Sequence, residues 1–454
     1  MNVIYIHTHD SGRVLSPYGY DVPTPNLKEF AADSLMFRQA YCASPTCSPS
    51  RAALLTGRYP HQNGMIGLGN RGFCLNDYNQ HLVRFLNSQN YETVLCGIQH
   101  EAGAYLDHRE AAGIIGYRQD ITNDSAGYEE ADLVKWDYQN ARSAAEWIEN
   151  YDGEKAFFLS FGFFATHREY PQTLAAGIAS NYVMPPFAIP DCPETRADFG
   201  GYLTSASWFD SGFELIIKAL KRSGHYDKSI IIFTTDHGIA MPFCKCNLFD
   251  TGTGVALMLR VPDSDANGTV SDALISQVDI FPTLCDLLHL HKPDYLAGKS
   301  FAGLFSGTGF TEQEEIITEI NFHTSYEPCR AVRTKRYKNI RYYDDYLLLN
   351  KSNIDEGKTK DYYLRNGLGE RTKYREALYD LLYDPYERNN IIDDQELAGV
   401  VKELRDKLYA FQQQTEDPIR HGSYEMQSGW KVNKQECLRP SSKDPQDYIT
   451  ADKS

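Results

Sequence analysis

At 454 residues, 42% hydrophobic and 23% charged, the chain is long enough for one large domain plus a smaller one and has the make-up of an ordinary globular protein. Its 61 acidic against 45 basic residues leave a formal charge of −16 with no basic tail, which argues against nucleic acid or an anionic membrane as partner. No apolar run approaches the roughly 20 residues that span a bilayer, and ten cysteines in this length do not make a disulfide scaffold.

The chain opens on Met1-Asn2-Val3-Ile4-Tyr5-Ile6, which has neither a basic n-region nor a long apolar h-region. It reads as a first buried strand, and a cytoplasmic location is expected. Further apolar runs follow at Thr93–Gly97, Ala156–Phe164, Ser229–Thr234 and Val255–Val261. Between them lie helix-like stretches at Pro25–Ser34, Ser50–Leu55, Tyr78–Ser88, Ala131–Glu149, Ala197–Ser223 and Gln277–Leu288. Buried strands alternating with amphipathic helices predict an α/β fold whose large, mostly parallel sheet is sandwiched by helices. After about residue 310 the character changes. Arg330–Tyr343 and Tyr346–Leu349 are rich in Tyr, Arg and Leu, and Glu396–Gln413 is helix-like. Two units are therefore expected, 1–310 and a smaller α+β unit of antiparallel strands plus a helix over 311–454. The tail from Ser423 is polar and irregular.

In open α/β sheets, ligands bind beyond the carboxyl ends of the strands. His7, His9 and Asp10 follow the first run and His100 the second, His167 and Arg168 follow the third, and Asp236, His237 and Gly238 the fourth. One histidine at a strand end is commonly structural; all of these on one rim make a site. Asp10 and Asp236 offer carboxylate oxygens to a divalent cation, and His237 and His9 offer imidazole nitrogens, the latter as ligand or as orienting group. In Cys47-Ser48-Pro49-Ser50-Arg51, proline suits the first turn of a helix. Cys47 would then stand at a helix N-terminus, where a tetrahedral anion binds well, with Arg51 adding a charge-assisted fork. The plain alternative is a capped helix with an ordinary thiol. Cys244-Lys245-Cys246 lacks a second Cys/His pair and reads as incidental thiols rather than a zinc site.

Cys47-Ser48-Pro49-Ser50-Arg51 followed by Thr56-Gly57 resembles the signature of the formylglycine-dependent sulfatases, members of the alkaline phosphatase superfamily. The likeness runs over nearly the whole chain and is greatest toward the heparan N-sulfatase branch. It includes His61-Gln62-Asn63-Gly64-Met65, Phe157–Phe164 with His167-Arg168, Arg196-Ala197-Asp198, Phe233–Gly238, Leu378-Tyr379-Asp380 with Asp384-Pro385, and Thr415-Glu416-Asp417-Pro418. The resemblance implies an alkaline phosphatase-like mixed sheet and a hydrolase of sulfate esters or sulfamates on a sugar, N-sulfoglucosamine-like. It puts metal ligands at His9, Asp10, Asp236 and His237, and a nucleophile at Cys47 after oxidation to formylglycine by a maturation enzyme. By position Arg51 steadies that group, His100 is the base that restores the aldehyde, His167 stands by the leaving group, and Lys245 contacts the sulfate. A homodimer is also implied.

This sequence departs from the family's pattern in three places. His9-Asp10 replaces Asp-Asp, Asp236-His237 replaces Asp-Asn, and Ile98 replaces a lysine. Imidazole ligands shift the expected ion from calcium toward magnesium, manganese or zinc. His323, Arg330 and Arg333, early in the second unit, are candidates for reading the sugar. The alternatives are a phosphonate monoester or phosphodiester hydrolase of the same superfamily, and a non-catalytic binder of sulfated sugars with Cys47 unmodified.

Overall fold

The computed structural model describes residues 1–103 and 108–449. Its main sheet has eight strands in the order Gln119–Asp120, Glu92–Gly97, Phe157–Gly162, Asn2–Thr8, Ser229–Thr235, Leu257–Arg260, Leu35–Phe37 and Val270–Ser271. The first five run parallel, and Leu257–Arg260 is antiparallel to both of its neighbours. The sheet is thus mostly parallel, as the apolar runs predict, and mixed, as the family resemblance implies.

The central strands are apolar at nearly every position because both faces are covered. Ile4, Ile6, Leu159, Phe161, Ile231 and Phe233 face one core with Phe209, Phe213 and Ile216 of the helix Pro193–Arg222 and Ala141 and Ile148 of the helix Leu133–Asn150. Val3, Tyr5, Phe158, Ile230 and Ile232 face the other, against Leu54, Leu55, Leu86, Phe281 and Leu284.

A second, antiparallel sheet is ordered Glu315–Phe322, Tyr326–Thr334, Tyr337–Tyr342 and Glu376–Asp380. The stretch Arg330–Tyr343 is therefore two strands, broken at Lys335-Arg336, and Tyr346–Leu349 contributes only an isolated bridge from Leu348 to Thr372. Ile317, Val332 and Leu378 on one face pack on Val401, Leu404 and Leu408 of the helix Ala398–Gln414. The tail wraps back over the body. Trp430 stacks on Phe73 with centroids 4.3 Å apart, and Arg71 donates to Asn433 Oδ1 and the Pro440 carbonyl, both at 2.7 Å. Among the described residues no helix is long and apolar enough to cross a membrane.

Candidate active site

Four parallel strands end side by side. His7 is in register with Gly162, which is in register with Gly97, and Thr8 is in register with Thr235. Glycine is required here: a Cβ on Gly162 would collide with the Ile98 carbonyl oxygen and the His7 ring, and Gly97 has φ +81°. The segments leaving this edge carry His9-Asp10, His100, His167 and Asp236-His237, so the sheet brings together what the sequence places up to 228 residues apart.

The fifth component arrives on the helix Cys47–Thr56, all of whose residues are buried. Cys47 is its first residue, and Arg51, four positions on, lies on the same face. Ser50 Oγ donates to the Asp236 carbonyl at 2.6 Å and to Gln277 Oε1 at 3.1 Å, docking the helix against the strand end. Arg51 Nη2 donates to Asp236 Oδ2 at 3.0 Å and to the Thr8 carbonyl at 3.3 Å, while its Nη1 meets the His7 ring. Gly57, left-handed at φ +63°, ends the helix against Leu296.

Ligand atoms of His9, Asp10, Cys47, Asp236 and His237 all lie within 4.8 Å of one another, and all five residues are buried. His9 Nδ1 is 3.1 Å from both Asp10 Oδ1 and Asp236 Oδ2. Asp236 Oδ1 accepts the backbone N–H groups of Asp10 and His237, each at 2.9 Å, which fixes that carboxylate. His237 Nδ1 faces the Gly238 carbonyl at 3.0 Å, an acceptor only, so the proton sits on Nδ1. Its Nε2 faces Cys47 Sγ at 3.4 Å and Asp10 Oδ1 at 3.4 Å; burial lowers the ring, but Asp236 and Cys47 outweigh it and hold it above its ordinary value, and on losing its proton this nitrogen offers a lone pair to an ion. The set fits a divalent cation: two buried carboxylates, two imidazoles, and a His9 Nε2 that is buried without a hydrogen-bond partner among the described residues.

Lys245 Nζ lies between Asp10 Oδ2 at 2.9 Å and Asp355 Oδ2 at 3.0 Å. Burial pushes the Cys47 thiol up, but the Lys245 ammonium, His9 and His237 outweigh it and hold the thiol well below the usual range. His100 is within hydrogen-bonding reach of Cys47, and burial brings it down to about 4, so it is neutral. Burial also lowers His167 and His323. His167 Nδ1 faces the Arg168 carbonyl, leaving Nε2 open toward the site, 3.9 Å from Asp10 Oδ2. Its loop is held from two sides. Asp137 accepts the N–H groups of Phe164 and Ala165, both at 2.8 Å, and Arg168 makes a two-point pair with Asp198 at 2.8 Å.

His9, Asp10, Cys47, Arg51, His100, His167, Asp236, His237 and Lys245 thus converge, and His323 joins them from the second sheet, within reach of Cys47. Arg330 and Arg333 do not, which corrects the expectation from sequence. Alternation along Tyr326–Thr334 sends them to opposite faces of that sheet from their neighbours, into pairs of their own. Arg330 is fully buried on Asp417 at 2.7 and 2.9 Å, and Arg333 pairs with Asp250 at 3.1 Å and stacks over Tyr41. A second acidic group, His61, Glu319 and Asp417, closes around the same Arg330 guanidinium and is an ion-pair network. Cys244 and Cys246 are both buried free thiols. Asp355 had no signal in the sequence: it stands in a polar loop of the C-terminal region, 345 residues from Asp10.

A family model described as Sulfatase matches residues 1–290, and one described as N-sulphoglucosamine sulphohydrolase, C-terminal, matches residues 237–363. Human N-sulphoglucosamine sulphohydrolase (Homo sapiens) is 26% identical, the match covering 92% of this chain and 91% of that protein. An N-acetylglucosamine-6-O-sulfatase of Bacteroides thetaiotaomicron is 22% identical over 92% of this chain and 87% of its own. The solved structure of a phosphonate monoester hydrolase from Agrobacterium radiobacter superposes with a TM-score of 0.68, at 19% identity, over 94% of this chain and 98% of that one. At that identity the likeness bears on the fold alone.

Proposed function

This chain belongs to the sulfatase family, a family of hydrolases for sulfate esters and sulfamates, and from that premise we propose that it removes sulfate from a glucosamine-type sugar at the buried Cys47 centre. The observation that carries the proposal is the cluster of His9, Asp10, Cys47, Asp236 and His237 with Lys245, Arg51 and His167 closed around it. A pure binder of sulfated sugars has no need of buried metal donors around a thiol held at depressed pKa.

His9, Asp10, Asp236 and His237 would hold a divalent ion, which when bound supplies Lewis-acid polarisation of the nucleophile and of a sulfate oxygen. Cys47, oxidised to formylglycine by a maturation enzyme, would carry the attacking oxygen. Arg51 fixes Asp236 and adds positive charge behind Cys47. Lys245 places its ammonium where sulfate oxygens must lie, and in a chain of net charge −16 that local cation is what admits an anionic substrate. His167 turns Nε2 toward the departing oxygen or nitrogen and would serve as its acid after taking up a proton there, with Asp10 Oδ2 3.9 Å away. His100, buried and neutral, takes a proton beside Cys47 when sulfate is released.

The imidazoles His9 and His237 favour a second reading, hydrolysis of phosphonate monoesters or phosphodiesters. The test runs N-sulfoglucosamine, an aryl sulfate and a phosphodiester in parallel on protein from its own host, with mass spectrometry of the Cys47 peptide and metal analysis of the same sample. Turnover of the sulfated substrates with formylglycine at Cys47 and one divalent ion per chain is expected. A strong preference for the phosphodiester would overturn the assignment.

A further inference from the structure

Asp355 is a paradox in a site for anions. Asp10 already pairs with the Lys245 ammonium at 2.9 Å, and Asp355 Oδ2 adds a second carboxylate at 3.0 Å. That oxygen is buried, and among the described residues no donor is well aligned with it as a hydrogen bond. A carboxylate there repels sulfate, and this points away from the sulfate and toward another part of the substrate.

Its position says which part. The side chains of His9, Asp10, Asp236 and His237 are 0–1% exposed and that of Lys245 is 3%. Those of His167 and Asp355 are 18% and 15% exposed, so the substrate's sugar enters past these two. The Asp355 loop is anchored on both flanks. Asn353 Oδ1 accepts the N–H groups of Thr324 and Ser325 at 3.1 and 3.0 Å, and Thr359 N donates to Asp198 at 3.1 Å. The titratable groups that feel Asp355 include Lys245, Asp10, His167, His323, Arg168, Tyr170, Lys360, Glu130 and Cys246.

We propose that Asp355 selects the leaving group: it receives the ammonium of an amino-sugar product and so favours N–S over O–S cleavage. This rests on the sulfate-hydrolase reading above. For a sulfamate, R–NH–SO3⁻ and water give R–NH3⁺ and SO4²⁻; the N–S bond breaks, its electron pair stays on nitrogen, and water supplies oxygen to sulfur and protons to nitrogen. For an ester, R–O–SO3⁻ and water give neutral R–OH, SO4²⁻ and a proton. Positive charge develops on the leaving atom in the first reaction only, and a fixed carboxylate beside His167 stabilises that case alone.

The test compares wild type, Asp355→Asn and Asp355→Glu, each bearing formylglycine, on N-sulfoglucosamine and on N-acetylglucosamine 6-O-sulfate. Calorimetry measures binding of glucosamine and of N-acetylglucosamine. A hydrogen bond to a charged group is worth enough that Asp355→Asn should lower kcat/KM on the sulfamate about 30-fold and on the ester less than about threefold. Glucosamine binding should weaken about tenfold on the same ground, N-acetylglucosamine binding should hold, and Asp355→Glu should recover part of both losses. Equal losses on the two substrates, or unchanged glucosamine binding, would mean that Asp355 only positions Lys245, and would overturn the proposal. A wild type that cleaves the ester and not the sulfamate also overturns it while leaving the sulfatase reading intact. Should the wild type cleave neither, the sulfatase reading fails, and Asp355-dependent glucosamine binding still upholds the ammonium site.

Discussion

Replacing Arg330 by methionine separates a strut from a substrate reader. The guanidinium gives Nε and Nη2 to Asp417 at 2.7 and 2.9 Å and Nη1 to the carbonyls of Ile320 and Cys329 at 3.1 and 2.9 Å. Glu319 Oε2 stands 3.6 Å from Nε, and none of the three side chains is exposed. Removing one partner of a buried pair costs about 3–5 kcal/mol, because the remaining charge stays in a low-dielectric interior. Two carboxylates lose their cation here, so Arg330→Met belongs at the upper end. With an unfolding entropy of about 2.1 cal/mol/K per residue over 454 residues, that loss lowers Tm by about 5 °C for unfolding as one unit. Calorimetric melting reads the shift, and kcat/KM on N-sulfoglucosamine at 25 °C should stay within about twofold of wild type, since surviving native molecules keep their site. The double variant Arg330→Met with Asp417→Leu should recover part of the Tm, because apolar residues then replace the Arg330–Asp417 pair while Glu319 keeps only His61 as ion-pair partner among the described residues. An unmoved Tm together with a KM raised about tenfold, equivalent to about 1.4 kcal/mol of lost binding, would refute this reasoning and return Arg330 to the sugar site.

Cys47→Ala should abolish turnover and leave circular dichroism and Tm near wild type; substantial residual activity would sink the role of Cys47 as nucleophile. Asp236→Ala should reduce bound divalent metal to well under one ion per chain, read by elemental analysis, because that carboxylate is positioned by two backbone N–H groups and Arg51; full occupancy would remove it from the ligand set. Lys245→Ala should lower kcat/KM by about 10²–10³-fold, the usual loss for one charge-stabilising group, chiefly through kcat; a change in KM alone would assign it to ground-state binding. Burial raises Asp137 from 3.8 to about 7, so its contribution to stability is full below about pH 4 and is lost as pH rises through 7. The Tm advantage of wild type over Asp137→Asn should therefore shrink between pH 5 and pH 8, and a constant difference would contradict the shift.

Much of the fold is legible in the order of the amino acids because the central strands are buried on both faces. Val3–Ile6 and Ser229–Thr234 are therefore apolar at consecutive positions, which is visible in one dimension. The site is legible for a related reason: parallel strands end on one edge, so the residues following each apolar run share a rim. Local spacing puts Cys47 and Arg51 on one helix face but leaves an ordinary thiol equally open, and the likeness of Cys47-Ser48-Pro49-Ser50-Arg51 to the sulfatase signature decides between them. Arg330 and Arg333 mislead because charge alone does not show which face of a strand is buried, or that Asp417 and Asp250 wait there. Sequence by itself determined the sheet, the helix-borne Cys47 and the donors at the strand ends, since each is a local pattern of polarity or spacing. Only the tertiary structure decided that Asp355 reaches the mouth of that site, because a carboxylate delivered by a loop from the far end of the chain leaves no local pattern and acts through distance alone.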